Sequence, residues 1–452
     1  MTKFEPYTEY KDSGVEWLGQ IPIEWDAHRI KMSVQSARNG IWGQDPQDGS
    51  PSVWCVRVAD FDRKSHTVGS ATRTMRSITS DELVPRRLSR GDLLLEKSGG
   101  GENNPVGFVV RFDYDDVAVC SNFVAKMQLL PGMDSRFWTY VHATTYSVRL
   151  TQRSIKQTSG IQNLDQASYF NEVAPFPPPK TQAQIADFLD RETAQIDDLI
   201  GKQERLIELL AEKRQAVITQ AVTKGLDPES PTKPSRIPWL GDVNAEWPIR
   251  PLKAVGEINL GKMIQPMPKA TGDVQAPYLR AANVQPGGVL TIDDVKEMWF
   301  TKRELSSLDV LAGDVVVVEG GIGGFGRAAF VDNDLAGFGY QNSINRIRPN
   351  QDVDGRFLTY LLLTARQSGF IHAYCTGVSM PHLTAEKLAV IQVPFPDYAT
   401  QTAIGDFLDQ RLKSFAQLSS KASNVISILQ ERRSALISAA VTGKINVLSK
   451  EL

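Results

Sequence analysis

The hydrophobic pattern of the chain changes twice from short strand-like runs to a long helix-like segment. Residues 40–174 and 262–393 contain short runs of β-branched and aliphatic residues that are separated by Gly, Pro and Asn. Such runs are typical of strands joined by loops. A proline-containing step follows each stretch, and a long segment without proline follows the step. The pattern predicts two mixed α/β or mostly β domains, each followed by a helix.

The first predicted helix has clear start and stop signals. Thr181 is a favourable N-cap residue, and Gln184 stands three positions later. About 40 residues without proline follow, and Gly225 with Pro228 beyond it marks the end. At 1.5 Å per residue, such a helix is roughly 60 Å long.

Apolar residues recur along both predicted helices at spacings that alternate between three and four residues, with Gln203 and Lys213 filling two positions of the first stripe. A sustained stripe of this kind is typical of a coiled-coil seam. We expect the two helices to pair in antiparallel fashion, with one globular domain at each end of the rod. The alternative is that each helix packs on its own domain. The predicted seam consists of Ile196, Leu199, Leu206, Leu210, Val217, Phe415, Leu418, Val425, Leu429 and Leu436.

The chain also repeats itself once. Residues 175–223 match residues 394–442 without a gap, at about 21 of 49 positions and a constant offset of 219. Weaker matches continue outside this stretch: Trp17-Leu18-Gly19 recurs as Trp239-Leu240-Gly241, and Asn122 aligns near Asn342. The whole chain is therefore interpreted as a tandem duplication.

Composition excludes several classes of protein. Hydrophobic residues make up 41% and charged residues 23% of the 452 residues, which is ordinary for a globular protein. The sequence shows neither a membrane-spanning apolar run nor a signal peptide, so we expect a soluble, cytoplasmic protein. Cys55, Cys120 and Cys375 are too far apart for a CxxC site. The net charge of -2 argues mildly against nucleic-acid binding.

Motifs that would indicate catalysis are unconvincing. Residues 321–326 satisfy the spacing G-x-G-x-x-G, but the residues after Arg327 resemble another short strand, whereas a dinucleotide site needs a helix there. Residues 256–262 imitate a phosphate loop, but Met263 stands where a hydroxyl must reach Mg²⁺. The five histidines show no metal-ligand spacing. We predict a chain without a catalytic site or a metal site.

Charge becomes informative when it is counted by segment. Residues 57–111 contain ten basic and seven acidic residues, and residues 135–161 contain four basic residues and no acidic one. Arginine mixed with Asn, Gln and Ser suits phosphate neutralisation and hydrogen bonding to base edges. An ordinary solvated surface is the alternative explanation.

Each half opens with Trp-Leu-Gly…Glu-Trp, enters its helix through Pro-Phe-Pro…Gln…Ile…Phe-Leu-Asp, and ends in Glu-Lys/Arg-Arg…Ala-Val-Thr at 212–223 and 431–442. With these motifs and the duplication, the chain resembles the specificity subunit of Type I restriction-modification systems. The resemblance covers essentially the whole chain.

The resemblance implies an α+β fold with two α/β target-recognition domains in tandem, a pseudo-twofold axis and two long helices in an antiparallel coiled coil. The implied divisions are 1–175 for domain 1, 176–225 for helix 1, 226–394 for the linker and domain 2, and 395–452 for helix 2 and the tail.

The implied function is non-catalytic: the chain reads a bipartite DNA target and holds two modification (methyltransferase) subunits and the restriction subunits. No cofactor is expected in this chain, whereas S-adenosylmethionine, ATP and Mg²⁺ are expected on the partners. Segments 181–223 and 400–442 are expected to contact the modification subunits, and loops 158–164 and 376–383 to lie near the DNA and the partner subunit. A coiled-coil adaptor without DNA specificity, or a nucleotide-dependent enzyme using residues 321–326, are the alternatives.

Individual DNA-binding residues are predicted from their chemistry, and a structural role for each is about as plausible. The candidates are Arg57, Arg63, Lys97, Asn122, Arg153, Lys156, Arg280, Asn283, Arg327, Asn342 and Arg346.

Overall fold

A computed structural model of the chain describes residues 5–46, 52–69, 71–102, 104–158, 160–321, 324–375 and 381–449. The chain divides into two compact units. Unit 1 comprises Met1–Gln203 with Asn424–Leu452, and unit 2 comprises Glu204–Ser423. We call the globular part of unit 1 (residues 5–176) head 1 and that of unit 2 (residues 226–396) head 2.

Head 1 is built mainly from short strands. Its helices are α1 (Ser80–Leu83), α2 (Ser135–Ser147) and α3 (Gln166–Tyr169). Its strands are β1 (Tyr10–Asp12), β2 (Gln20–Pro22), β3 (Asp26–Arg29), β4 (Val34–Asn39), β5 (Val53–Val56), β6 (Phe61–Asp62), β7 (Thr67–Val68), β8 (Met75–Arg76), β9 (Leu93–Glu96), β10 (Ser98–Gly99), β11 (Val109–Arg111), β12 (Ala118–Cys120), β13 (Val124–Leu129), β14 (Ile155–Thr158), β15 (Ile161–Leu164) and β16 (Val173–Phe176).

The long helix α4 (Pro179–Lys224) follows head 1. Its residues up to Gln203 belong to unit 1, and its residues from Glu204 onwards belong to unit 2. The strands of head 2 are β17 (Thr232–Pro234), β18 (Asp242–Asn244), β19 (Ile249–Pro251), β20 (Gly256–Leu260), β21 (Val274–Leu279), β22 (Val284–Gln285), β23 (Val289–Leu290), β24 (Lys296–Phe300), β25 (Val315–Val318), β26 (Ala328–Phe330), β27 (Gly339–Tyr340), β28 (Ile344–Pro349) and β29 (Gln392–Pro394). Its helices are α5 (Lys302–Ser307), α6 (Gly355–Gln367), α7 (Phe370–Cys375) and α8 (Ala385–Ala389), and the second long helix is α9 (Tyr398–Val441).

The strand order of the two heads is the same where their sheets can be compared. Four strands in the order β4-β13-β9-β11 form the larger sheet of head 1, which β7 and β6 extend, and the order β20-β28-β25-β26 recurs in head 2. The second sheets are β12-β5-β8 and β27-β21-β24. A small antiparallel pair closes the base of each head, β16 with β3 and β29 with β19. Strands such as β9 and β25 are buried on both faces, which explains their uninterrupted apolar sequences.

The glutamine of the repeated helix-entry motif fixes each long helix to its head. In unit 1 the buried Gln182 side chain donates to the carbonyl of Pro177 at 2.9 Å and accepts from the backbone N–H of Asp134 at 3.2 Å. Asp134 in turn caps α2 by accepting from two backbone N–H groups of its first turn. In unit 2, Gln401 and Asp354 make the corresponding bonds at the start of α6. The buried amide explains why glutamine recurs in the motif: it pairs backbone groups whose burial without a hydrogen bond would cost folding free energy.

Each unit has one main core to which both long helices contribute. In unit 1 the start of α4 supplies Ile185 and Leu189, and the end of α9 supplies Ile437 and Val441. In unit 2 the roles are exchanged, since the end of α4 contributes Ile218 and Val222 while the start of α9 contributes Ile404 and Leu408. Neither head is therefore completed by its own helix alone.

The predicted long helices are confirmed, and α4 has 46 residues while α9 has 44. Their buried stripes differ in part from the predicted seam. Ile196, Leu210 and Phe415 are buried, and Val217, Leu429 and Leu436 are half-buried. Leu199, Leu206, Leu418 and Val425 are exposed, so the seam prediction is wrong at these four positions.

The correct stripe uses the residue that follows each of the exposed positions. Ile200 is only 1% exposed, whereas Leu199 is 45% exposed. From Ile196, both a step of three and a step of four reach an apolar residue, and only packing decides between them. In α4 the stripe comprises Leu189, Thr193, Ile196, Ile200, Gln203, Ile207, Leu210, Arg214, Val217 and Ala221. In α9 it comprises Leu408, Leu412, Phe415, Ser419, Ala422, Ile426, Leu429, Arg433, Leu436 and Ala440.

Two further features bear on the class of protein. None of the helices in the described part of the chain has the length and apolar character needed to cross a membrane. Cys55, Cys120 and Cys375 are all buried free thiols. Burial raises the pKa of Cys55 to about 11 and that of Cys120 to about 12, so neither thiol has the thiolate character of a reactive cysteine.

Candidate DNA interface

An amide-rich surface lies where β9 of head 1 ends. The ammonium group of Lys97 donates to the side-chain oxygen of Asn39 at 2.6 Å. The backbone N–H of Lys97 donates to the carbonyl of Phe123 at 2.8 Å. The exposed Asn122 directly precedes Phe123 in the chain, so this bond brings Asn122 close to Lys97. The Ser98 hydroxyl donates to Asn163 at 2.5 Å. We call Asn39, Lys97, Asn122 and Asn163 the Lys97 patch. It unites two of the predicted residues, Lys97 and Asn122.

Lys97 is well suited to meet an electronegative partner. Partial burial lowers the pKa of its ammonium group, because the charged form loses solvation. Its hydrogen-bond partner in the structure is a neutral amide oxygen, which does not cancel its charge. A base edge or a phosphate that approaches this patch therefore meets a positive charge surrounded by amide groups, the side-chain chemistry that recognises purines.

The corresponding surface of head 2 has a different chemistry. Glu319 follows β25, and its carboxylate lies 2.8 Å from Nδ1 of His382. The backbone N–H of Glu319 donates to the carbonyl of Ser343, so the half-exposed Asn342 is again adjacent. We call Glu319, His382 and Asn342 the Glu319 patch. Of its members only Asn342 is predicted from the sequence.

Two arginines lie side by side elsewhere on head 2. Burial lowers the pKa of the Arg366 guanidinium, and the neighbouring positive charge of Arg327 lowers it further. Arg366 also donates to the carbonyl of Phe325 at 3.2 Å. Arg327 is half-exposed. Two adjacent guanidinium groups favour an anion such as a phosphate, and Arg327 stays a predicted DNA-binding residue.

Four other predicted cations are already paired within their heads. Arg57 binds Asp60 at 2.8 Å and Arg63 binds the buried Glu96 at 2.6 Å. Lys156 binds Asp165 at 2.7 Å, and Arg280 forms an ion pair with Asp294. A cation that is already paired with a carboxylate neutralises a phosphate less effectively.

The Arg63 pair has an additional structural role. Its guanidinium lies 4.5 Å from the centre of the Phe108 ring, and burial raises the pKa of Glu96 while the Arg63 charge lowers it. The arginine thus compensates a carboxylate in the interior, and its loss would leave that charge unpaired.

Asn283 and Arg346 are corrections to the prediction, because both side chains are only 2% exposed. Asn283 caps the turn after β21, where it accepts from the Arg280 N–H at 2.9 Å and donates to the Thr291 carbonyl at 2.9 Å. Arg346 binds the carbonyl and the carboxylate of Asp309 at 2.6 and 3.0 Å. Both residues hold the fold of head 2 together and do not reach its surface.

The remaining predicted positions are surface positions or lie outside the described residues. Arg153 is exposed on a 3₁₀ turn that spans Leu150–Ser154. Within the predicted loops, Ser159 and residues 376–380 lie outside the described residues. The glycine motif at 321–326 is followed by β26 (Ala328–Phe330), which confirms the strand expected there in place of a helix.

Sequence reasoning missed several residues that the structure brings to prominence. Lys97 and Glu319 are equivalent under an offset of 222, so aligning the two halves beyond the helices would have found the second from the first. Nearer the helices, an offset of 220 pairs Arg136 with Arg356, which tie each head to its long helix. The signal was present in the repeat, but it lay in the weakly matching part of the chain.

Comparisons with known proteins agree with this arrangement. The model of the Type I restriction modification DNA specificity domain matches residues 244–427. The Type I restriction enzyme MjaVIII specificity subunit of Methanocaldococcus jannaschii is 26% identical over 310 residues, which cover 67% of this chain and 69% of the relative. Residues 244–427 thus match the pattern of that domain, and the chain is similar to Type I specificity subunits.

Further similarities extend over almost the whole chain. The putative Type I restriction enzyme MjaX specificity subunit of the same organism is 23% identical over 456 residues, covering 95% of this chain and 96% of the relative. A chain from a solved structure on the assembly and conformational transition of the Type I restriction-modification system has a TM-score of 0.69 at 14% identity, covering 93% of this chain and 98% of that one. The HsdS subunit of Thermoanaerobacter tengcongensis has a TM-score of 0.53 at 14% identity, covering 94% and 98%. These two structures share the fold of the specificity subunit.

Proposed function

We propose that this specificity subunit is a non-catalytic scaffold that reads a bipartite DNA target with its two heads and holds two modification subunits on its two long helices. Restriction subunits join the same complex. S-adenosylmethionine belongs to the modification subunits, and ATP with Mg²⁺ belongs to the restriction subunits. The observation that carries the proposal is the repeated attachment of each head to the start of the long helix that follows it.

That attachment is an arginine network that occurs once in each unit. In unit 1, Arg136 of α2 binds Asp187 and Asp190 of α4 at 2.7 and 3.1 Å, and the Tyr140 hydroxyl donates to Asp190 at 2.8 Å. In unit 2, Arg356 of α6 binds Asp406 and Asp409 of α9 at 2.7 and 3.0 Å. A reading head that is fixed to a rigid element has a defined position along a DNA duplex, as half-site spacing requires.

We infer that the two long helices set the distance between the two heads. Each begins in one unit and ends in the other, and their buried stripes alternate by three and four residues with the same phase. In unit 1, Arg433 of α9 binds Asp197 of α4 at 3.1 Å. We infer an antiparallel coiled coil along the length of both helices, since this spacing is that of a two-helix seam.

A second apolar stripe is available for the modification subunits. Leu199, Leu206 and Leu209 of α4 are 45, 41 and 45% exposed. Their equivalents in α9 at the offset of 219 are Leu418, Val425 and Ile428, which are 49, 40 and 63% exposed. Exposed apolar residues at regular helical spacing favour docking of a partner helix. Because the stripe occurs twice, it supports two partners of the same kind.

The decisive experiment is methylome sequencing of the host with and without the gene. We expect a bipartite N6-methyladenine motif that disappears when the gene is deleted. A methylome that does not change while the modification subunit is active would refute the proposal. If the modification subunit still co-purified with the chain in that case, the adaptor without DNA specificity would be favoured.

Exchange of a head tests whether the two halves of the target are read independently. Replacing residues 40–174 with those of a relative should change one half of the methylated motif and leave the other half intact. If both halves changed, the assignment of one half-site to each head would be wrong.

Docking is tested separately on the exposed stripe. The double variant Leu206→Gln with Val425→Gln should lower co-purification of the modification subunit at least severalfold without lowering the unfolding temperature, since both side chains are exposed. Leu311→Gln, at an exposed leucine of head 2, is the matched control. Equal co-purification by all variants would contradict docking on this stripe.

A further inference from the structure

The Lys97 and Glu319 patches occupy one position in a repeated backbone frame. The carbonyl of Lys97 accepts from the Leu164 N–H at 2.8 Å, and the carbonyl of Glu319 accepts from the Leu383 N–H at 2.7 Å. Their N–H groups donate to Phe123 and to Ser343, at 2.8 Å in each case. Residues 97 and 319 are thus held at the end of equivalent strands, β9 and β25, by the same two hydrogen bonds.

Other charged positions of this frame have kept their sign. Asp92 and Asp314, which are equivalent, are both buried carboxylates bound to a basic residue of the neighbouring strand. Lys126 and Arg346 both donate to a backbone carbonyl, that of Arg87 in head 1 and of Asp309 in head 2. These two structural positions therefore preserve charge between the two heads, whereas the position after β9 and β25 has inverted it.

The surface beside both residues is open. Gly99 and Gly321 are equivalent and have φ angles of +117° and +115°, a region that favours glycine. A Cβ atom at either glycine would meet no atom within 4 Å. The His382 side chain is 43% exposed. The Glu319 side chain is 13% exposed, so a duplex that approaches past these glycines meets Lys97 at the surface and only the exposed edge of the Glu319 carboxylate.

We propose that residues 97 and 319 are equivalent base-reading positions and that their opposite charges give the two heads different base preferences. Lys97, with Asn122 beside it, donates to the acceptor edge of a guanine in the half-site of head 1. Glu319 accepts from the exocyclic amino group of a cytosine in the half-site of head 2. His382 is a positioning residue, because it holds the carboxylate of Glu319. This inference rests on the proposed function, since it assigns residues within DNA reading.

The test is the methylated motif produced by variants of the full chain together with its modification subunit. Glu319→Gln preserves shape and removes charge. We expect about a tenfold or larger loss of discrimination at one base pair of the half-site of head 2, the size of effect associated with one good base contact. The other half-site should not change. Lys97→Gln should affect one base pair of the opposite half-site.

Controls separate the possible failures. Glu297→Gln, at an exposed position of β24, is the matched control and should leave the motif unchanged. His382→Gln should weaken discrimination at the same base pair as Glu319→Gln, and it serves as the second variant if Glu319→Gln lowers the unfolding temperature. Variants of both residues that fold and give the original motif with undiminished discrimination would overturn the inference. Absence of any bipartite motif with the unaltered chain would instead refute the proposed function.

Discussion

Arg136 and Arg356 act as connectors because a guanidinium group can bind several carboxylates at once. Arg356 binds Asp354, Asp406 and Asp409, and its own side chain is partly buried. Its hydrogen bond to Asp354 is the main cause of the raised pKa of its guanidinium. The planar fork of arginine suits this geometry, whereas lysine presents only a point charge. One residue thus links the head, its helix cap and the long helix.

Removal of this connector should destabilise unit 2. We expect Arg356→Met to lower the free energy of unfolding by about 2–3 kcal/mol, since hydrogen bonds between charged groups contribute on this scale. Arg356→Lys should recover only part of the loss. Urea unfolding measures the effect, and Arg411→Met, at an exposed position of α9, is the control. Equal midpoints for Arg356→Met and Arg411→Met would show that the network does not stabilise the fold.

Buried histidines make stability depend on pH. Burial lowers the pKa of His142 to about 3, and its Nδ1 lies 2.7 Å from the Tyr169 hydroxyl. Burial likewise lowers the pKa of His66 to about 4. Both rings are neutral in the folded state, while in the unfolded chain they take up a proton below a pH of about 6.5. Their contribution to stability is therefore complete above that pH and is lost progressively as the pH falls towards 4 and then 3.

This dependence can be assigned to a residue. In urea unfolding between pH 6.5 and 4, His142→Phe should show a shallower decline of stability with falling pH than the unaltered chain, by up to about 1.4 kcal/mol per pH unit. His28→Gln, at an exposed histidine, should keep the original slope. A slope that His142→Phe leaves unchanged would rule out His142 as the source.

The elements show how far sequence reasoning reaches. The long helices were predictable because a proline-free stretch of about 40 residues and the glycine and proline beyond it are local features, although α4 begins at Pro179 and the predicted N-cap Thr181 lies inside its first turn. The phase of their buried stripe was predicted correctly at six of the ten seam positions, and at three of the other four an aliphatic residue stands at both competing positions. Of the candidate DNA-binding residues, Lys97 and Asn122 come together at one surface, whereas Arg346 and Asn283 are interior. Burial of a single polar residue depends on which strands pair, and composition does not contain that information.

The corrected phase of the stripe makes a direct prediction for two adjacent residues. Ile200→Ala should cost about 2–4 kcal/mol of stability, because it removes a buried side chain from between packed elements. Leu199→Ala should cost less than about 0.5 kcal/mol, because an exposed side chain loses little burial. Thermal and urea unfolding of the two variants provide the comparison. A larger loss of stability for Leu199→Ala than for Ile200→Ala would show that Leu199 lies in the buried stripe, as the sequence predicted.

At the scale of the whole molecule, the similar length and the common stripe phase of the two helices become important. Gln203 and Ala422 are equivalent stripe positions near the middle of α4 and α9. Because the stripe repeats every seven residues, a copy of one heptad inserted after each of them keeps the pattern in register and lengthens each helix by roughly 10 Å.

If the helices set the spacing of the two half-sites, this double insertion should change the number of unspecified base pairs and preserve both half-sites. Methylome sequencing of the variant measures the outcome. Insertion into α4 alone is the control, and it should lower stability because the two stripes no longer match. An unchanged gap in the double variant would show that the helices do not determine the spacing.

The composition of unit 1 has a consequence for synthesis on the ribosome. Its core contains Ile437, Ala440 and Val441, and the tail beyond α9 adds Lys444, which donates to the carbonyls of Leu18 and Gln20. Unit 2, by contrast, is one continuous stretch, Glu204–Ser423. Head 1 therefore lacks part of its core until the segment from Ile437 to Lys444 has been synthesised. A nonsense codon that removes this segment would expose apolar surface in head 1.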